Sequence, residues 1–218
     1  GGLGAGFWFE SGLSGKDGSA GGPAGNFWNR RATVSLTGSF GELRLGRDDS
    51  ATFLNTLIFD PFLTNGVAGT QSFVMNGAPI QISNAISYFL PKNLGGFYGQ
   101  LQYAWGPASI PTSKAYRGFR AGYASGPLNL SLAAAALNFS GASKLKIVNV
   151  GASYDFGTIK PTLIWAQEKR DGGTSVRAIQ IGATATFGAH LLRASIGDYR
   201  KSGGAADANW RKLGLGYA

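Results

Sequence analysis

The pattern that decides the fold lies in residues 126–157, GPLNLSLAAAALNFSGASKLKIVNVGASYDFG. The stretch opens on a Gly-Pro turn and closes on a Phe-Gly turn, with two alternating segments between them. In the second segment Val148, Val150 and Ala152 alternate with polar or small residues. A period of two is typical of a strand with one apolar and one polar face. The stretch therefore predicts two antiparallel strands joined by a polar loop.

The same arrangement recurs along the chain. Successive turn glycines at Gly95, Gly126, Gly157 and Gly188 are 31 residues apart. Each period holds two segments of about ten residues, the length that a tilted strand needs to cross a membrane. Aromatic residues also cluster at the segment ends, as in interfacial girdles. We therefore predict an all-β fold, a transmembrane antiparallel β-barrel with about 12 strands in this chain.

A soluble β-sandwich is the structural alternative, since its strands alternate as well. Sandwich strands usually have about five or six residues, so the segments of this chain are long for that fold. A helical membrane protein is excluded, because the longest apolar run is Leu132–Leu137 and a spanning helix needs about 20 apolar residues. The chain has no cysteine and a net charge of +9, which suggests anionic partners.

One segment, residues 48–83, breaks the alternation. It separates two turn signals that are 54 residues apart, Phe40-Gly41 and Leu94-Gly95. A loop of this length in a compact fold is usually functional or disordered. Its many large apolar residues argue against disorder. Inside a barrel, we expect it to fold inward as a constriction loop.

Five motifs together resemble the general porins of Gram-negative bacteria, most closely the β-proteobacterial type. They are GGLGAGFWFESGL (1–13), NRRATVSLTGSFGELRLGRD (29–48), FDPFLTNG (59–66), NAISYFLP (84–91) and GASYDFG (151–157). The resemblance implies a trimeric, 16-stranded barrel in the outer membrane, whose third extracellular loop enters the pore. On that view residues 1–218 form a single barrel domain, incomplete at both ends. A self-contained 12-stranded barrel is the alternative, since even-numbered closure permits it.

The resemblance also implies a constriction with arginines on one wall and carboxylates on the infolded loop. Arg47 matches a constriction arginine of the family, and Arg30 matches a second by motif position. Strand parity instead favours Arg31, because Thr33, Ser35 and Thr37 share its face. We therefore predict both arginines as constriction residues and prefer Arg30. Parity places Arg44 toward the lumen, and Asp60 matches the acidic element of the loop.

Further charged residues fall on the polar face of the predicted strands. The expected pore-wall residues are Glu10, Arg120, Lys160, Glu168 and Arg193. Cations that line a narrow channel raise the local anion concentration. We therefore expect passive diffusion of small hydrophilic solutes, with a weak to moderate preference for anions.

Four further cations share the apolar, lipid-facing parity near the long-loop end of their strands. They are Arg117, Lys146, Arg177 and Arg211. Snorkelling at the membrane interface is the simple explanation for them. A lipopolysaccharide-facing girdle is the sharper hypothesis, because Arg and Lys bind phosphate oxygens well. The expected partners are therefore membrane lipid and lipopolysaccharide, and small, mainly anionic solutes; the family resemblance adds a homotrimer.

Other functions find less support in the sequence. A substrate-specific channel for carboxylates or sugars is one alternative, and an outer-membrane β-barrel hydrolase is another. The hydrolase would have to use His190, the single histidine, which opens a strand after a turn. We expect no catalytic residues, no metal and no cofactor, because no ligand spacing or phosphate-binding glycine loop is present. The spread-out cations also argue against nucleic-acid binding.

Overall fold

The chain forms one antiparallel sheet whose strands pair in sequence order. This computed structural model describes residues 2–19, 27–70, 77–106, 113–139, 143–204 and 206–218. Its twelve strands confirm the predicted number and the all-β fold. They are β1 Gly4–Glu10, β2 Arg31–Gly38, β3 Gly41–Asp49, β4 Gln81–Phe89, β5 Phe97–Trp105, β6 Ser113–Ser125, β7 Leu128–Phe139, β8 Lys144–Tyr154, β9 Ile159–Arg170, β10 Ser175–Phe187, β11 His190–Ser202 and β12 Ala208–Tyr217.

Tight turns connect the strands at one end of the sheet, where the 31-residue period predicted them. Gly95, Gly126, Gly157 and Gly188 have φ angles of 61°, 54°, 88° and 60°. Residues with a Cβ atom rarely adopt this left-handed conformation, which explains glycine at each turn. We call this end of the sheet the turn end and the opposite one the loop end.

The two faces of the sheet differ as the alternation predicted. On one face the large apolar side chains stay exposed, for example Leu101 at 62% and Leu213 at 70%. On the other face small and polar side chains such as Ser131 and Asn149 are buried. A water-soluble sandwich would bury the apolar face, whereas a barrel in lipid exposes it. The exposed face therefore fits a membrane.

The connection between β3 and β4 contains a short helix that the alternation did not predict. Helix α1 spans Ala51–Phe59 and begins at Ser50, whose side chain accepts a hydrogen bond from the Phe53 amide at 3.1 Å. The Ser50 hydroxyl also donates to the Pro79 carbonyl at 2.6 Å, which ties the two ends of the connection together. Of the predicted loop 48–83, residues 71–76 lie outside the described residues. Within the described ranges no helix is both long and apolar enough to cross a membrane.

This connection, which we call the inner loop, lies against the polar face of the sheet. Near its start, the Ala51 amide donates to Gln102 on β5. Further along, the Gly69 carbonyl accepts from Lys212 on β12. Neighbouring strands lie about 4.8 Å apart, and seven such spacings separate β5 from β12. In a flat sheet these two strands would therefore lie roughly 34 Å apart. The sheet must therefore curve around the inner loop, and the polar face is the inner face of a barrel wall.

Glycines on the inner face make room for the inner loop. A Cβ atom at Gly151 would lie 1.9 Å from the Phe59 ring, and one at Gly182 would lie 2.5 Å from Pro61. At these glycines the inner loop packs directly against the strand backbone, and the two approach too closely for any side chain.

The strand order ends at β1 and β12, and among the described strands no pairing joins these two edges. The described strands therefore form an open sheet, since closure of a barrel requires paired edges.

Candidate pore lining and inner loop

A compact ion network occupies the inner face of β3. The Arg44 guanidinium donates to both carboxylate oxygens of Glu42 at 2.9 and 3.0 Å, and to Asp48 at 2.5 Å. Arg31 lies 3.4 Å from Asp48. Two cations therefore face two carboxylates, and the network is balanced in charge. Arg44 lies on the inner face, as its parity predicted, but its charge is already paired.

The structure places Arg31, and not the preferred Arg30, on the inner face of β2. The β1–β2 register runs without a bulge, so Arg31 follows Thr33 and Ser35 on the inner face, opposite Glu10. Arg31 also stacks 4.6 Å above the Trp8 ring. Arg30 lies just before β2 and forms an ion pair with Glu10. Strand parity was therefore the better guide than motif position, because nothing interrupts the pairing there.

Arg47 has mainly neutral partners. Its Nε donates to the Asn29 carbonyl at 2.7 Å, and its Nη1 donates to the Ser83 hydroxyl at 2.8 Å. Both partners lie at strand ends near the loop end. Arg47 therefore ties β3 to its neighbours at the root of the inner loop.

Asp60 is a structural carboxylate of the inner loop. It is only 2% exposed. It accepts hydrogen bonds from the backbone amides of Phe62, Thr64 and Thr70 at 3.1, 2.8 and 2.7 Å. The Thr70 hydroxyl and the Gln180 amide of β10 also donate to it. Five donors surround a buried carboxylate, so its charge stabilises the turn of the inner loop. Asp60, which the resemblance implies as the acidic residue of the constriction, therefore has its carboxylate engaged within the inner loop and by β10.

The other inner-face carboxylates are engaged as well. Glu168 on β9 is buried and accepts from the Gly77 amide at 2.6 Å, which anchors the returning part of the inner loop. Glu10 forms the ion pair with Arg30 described above.

Three inner-face cations form no ion pair among the described residues. They are Arg120 on β6, Lys160 on β9 and Arg193 on β11. Lys160 and Arg193 lie in one cross-strand row, with Thr184 between them. Lys212 on β12 also points inward and donates to Gly69, a contact that the sequence did not suggest. Unpaired positive charge on the inner face therefore exceeds unpaired negative charge.

The outer face carries a basic belt near the loop end. Arg117, Lys146, Arg177 and Arg211 are all exposed on this face, and 84% of the Arg211 side chain is accessible. The register adds two cations that sequence reasoning missed, because only strand pairing reveals them. Lys169 lies directly opposite Lys146, and Arg200 lies directly opposite Arg177. We call these six residues the outer basic belt.

The single histidine offers no catalytic arrangement in the described part of the chain. The Nδ1 atom of His190 lies 2.6 Å from the Tyr217 hydroxyl, and the two rings stack. The described residues also contain no group of three or more side chains that could hold a metal ion.

An exposed apolar outer face, a polar inner face and an inward-folded loop define a class of protein, the transmembrane β-barrels. The model of the Gram-negative porin family matches residues 1–218. The chain belongs to this family, and it is placed in the outer membrane of a Gram-negative bacterium.

Individual relatives agree with this assignment. The chain is 36% identical over 206 residues to outer membrane porin protein 32 of Delftia acidovorans, a match that covers 86% of this chain. The chain spans 58% of the length of that relative. An anion-selective porin from Comamonas acidovorans superimposes with a TM-score of 0.83 and 34% identity, covering 100% of this chain and 69% of that one. The trimer form of OmpT from Vibrio cholerae has a TM-score of 0.71 at 13% identity, with 91% and 67% coverage, and it shows the fold alone.

Proposed function

We propose that the protein is a passive diffusion channel for small hydrophilic solutes, that it prefers anions, and that it works as a homotrimer without enzymatic activity. The observation that carries the anion preference is the imbalance of unpaired charge on the inner face. Every inner-face carboxylate described above is engaged by an ion pair or by hydrogen bonds, whereas Arg120, Lys160 and Arg193 have no carboxylate partner among the described residues. The anion-selective relative supports the same preference.

The first experiment is a reversal-potential measurement. The intact protein is reconstituted in planar bilayers across a potassium chloride gradient. We expect stable conductance steps and a reversal potential shifted toward the equilibrium potential of chloride, because unpaired cations raise the local anion concentration. A reversal potential shifted toward the equilibrium potential of potassium would contradict the charge assignment but would still support a channel. Absence of conductance would contradict the channel. The same recordings test the trimer, because an inserted trimer closes through sublevels and a single pore does not.

We also propose that the outer basic belt binds lipopolysaccharide phosphates. Two of its cross-strand pairs, Lys146–Lys169 and Arg177–Arg200, place like charges directly opposite each other. Such pairs destabilise a sheet unless an anion lies between them. The acidic partners of the belt are Asp171, which lies 3.9 Å from Lys146, and Asp198, which contacts Arg200 and Arg211, and two carboxylates do not balance six cations. Snorkelling alone explains one interfacial cation at a time, but it does not explain opposed pairs.

Alanine at Arg117, Lys146, Arg177 and Arg211 is expected to remove most of the lipopolysaccharide that copurifies with the protein. Each cation near an anionic surface contributes about 1 kcal/mol to the binding free energy, so the loss of four cations should weaken binding strongly. The measurement is the lipopolysaccharide-to-protein ratio after detergent purification. A matched control removes four cations elsewhere, at Lys16, Lys92, Lys160 and Arg193. Unchanged retention in the belt variant, or equal loss in the control, would sink the proposal.

A further inference from the structure

A cavity of about 620 Å³ opens on the inner face near the turn end, between β2 and β6. Its apolar lining includes Phe89, Leu90 and Pro91, and its polar lining includes Tyr98, Lys92 and Arg120. Binding sites for small organic molecules typically occupy about 300–1,000 Å³ and combine apolar walls with a few placed polar groups. This cavity has that size and composition. It contains none of the residues predicted for the constriction and one predicted pore-wall residue, Arg120.

Arg120 presents unused hydrogen-bond donors in this cavity. Its guanidinium lies 5.2 Å from the centre of the Tyr98 ring, which holds the side chain in place. Its Nε and Nη1 atoms are buried and form no hydrogen bond with the described residues. Buried donors without a partner are costly, so an anion that accepts from them would be stabilised.

Gln100 repeats this feature on the neighbouring strand. It is the direct cross-strand partner of Arg120 and is 1% exposed. Both its amide nitrogen and its amide oxygen have no hydrogen-bond partner among the described residues. Two adjacent polar side chains on one wall therefore keep their hydrogen-bonding capacity free at the same level of the barrel.

The charges around the cavity favour an anion. Glu42 lines it, but both of its carboxylate oxygens accept from Arg44. Arg120 and Lys92 form no ion pair in the described part of the chain. The Phe89 ring adds an aromatic surface beside these cations. The Arg44 guanidinium stacks on this ring, 4.2 Å from its centre.

We propose that this cavity binds an organic monocarboxylate with an aromatic body. The carboxylate accepts hydrogen bonds from Arg120, and the body packs against the Phe89 and Tyr98 side chains. Chloride would satisfy the charge, but it would leave the apolar walls uncovered. This proposal rests on the proposed function, since the anion reaches the cavity through the lumen, and it adds a binding site to a passive channel.

The test compares benzoate with acetate, which lacks the ring. Calorimetric titration of the intact, detergent-purified protein measures binding, and benzoate block of the current in planar bilayers shows whether the site lies on the conducting path. We expect saturable benzoate binding and weaker acetate binding. Arg120→Gln should weaken benzoate binding about tenfold or more, the effect of losing a charge-assisted hydrogen bond.

Arg193→Gln is the matched control, because it removes the same charge from the inner face outside the cavity. It should change benzoate binding by less than about twofold, because Arg193 does not line this cavity. Phe89→Leu is the second variant, and it should weaken benzoate but not acetate. Unchanged binding in Arg120→Gln, or equal weakening in Arg193→Gln, would overturn the site. If Arg120→Gln does not fold, an unchanged benzoate-to-acetate ratio in Phe89→Leu overturns it instead. Binding without any conductance would reject the channel and keep the site.

Discussion

Replacing Gly151 by alanine is expected to displace the inner loop from the barrel wall and to raise the single-channel conductance. The new Cβ atom would lie 1.9 Å from the Phe59 ring. That ring is fully buried among Ile164, Ala166 and Val176, so it has no room to move away. Overpacking of this kind costs about 1–3 kcal/mol. The ratio of docked to displaced loop therefore falls by about tenfold for each 1.4 kcal/mol.

Conductance in planar bilayers and limited proteolysis of residues 50–70 measure the displacement. Gly6→Ala is the matched control, because its Cβ atom would meet only the Ser35 hydroxyl at an ordinary 3.6 Å. Phe59→Ala should also loosen the loop, at a cost of about 3–5 kcal/mol for a buried aromatic ring. The double variant should be no worse than Phe59→Ala alone, because the clash needs both groups. Strictly additive effects would show that the two residues do not meet.

Asp60→Asn is expected to loosen the turn of the inner loop, and not only to change ion selectivity. The carboxylate accepts from five donors, three of them backbone amides. An asparagine amide keeps one acceptor oxygen and brings hydrogens toward the remaining donors. Each buried donor left without an acceptor costs about 1–3 kcal/mol, so the loss amounts to several kilocalories per mole.

The expected result for Asp60→Asn is noisier current, faster cleavage of the inner loop and a lower unfolding temperature. Asp155→Asn is the control, because it removes one negative charge at an exposed turn, where Asp155 accepts a hydrogen bond from the Gly157 amide. If Asp60→Asn shifted the reversal potential and left current noise and cleavage unchanged, Asp60 would be a pore carboxylate in the sense that the family resemblance implied.

These two experiments bear on the origin of the anion preference. The residues with the strongest family precedent, Arg47 and Asp60, are engaged within the protein itself. Arg120, Lys160 and Arg193 come from plain strand parity, and they keep their charge unpaired on the described inner face. We therefore expect selectivity to depend more on these wall cations than on the arginine-rich network of β3.

Local rules were enough to predict the strands from the sequence. The turn glycines recur every 31 residues, and the left-handed conformation at Gly126 and Gly157 explains why glycine is needed there. Alternation assigned Leu213 to the outer face and Asn149 to the inner face, because successive side chains point to opposite sides of a strand. Both rules act between near neighbours, so a single sequence contains them.

The path of the inner loop and the pairing of charges depended on the tertiary structure. Helix α1 was missed because its nine residues are too short for a helical period to stand out, although Ser50 supplied a capping signal. Asp60 meets Gln180, and Phe59 meets Gly151, across large sequence distances. Alternation says which face a residue occupies, but not which partner it finds there. The sequence by itself therefore determined a membrane barrel wall, whereas only the folded loop decided which charges remain free to act on a solute.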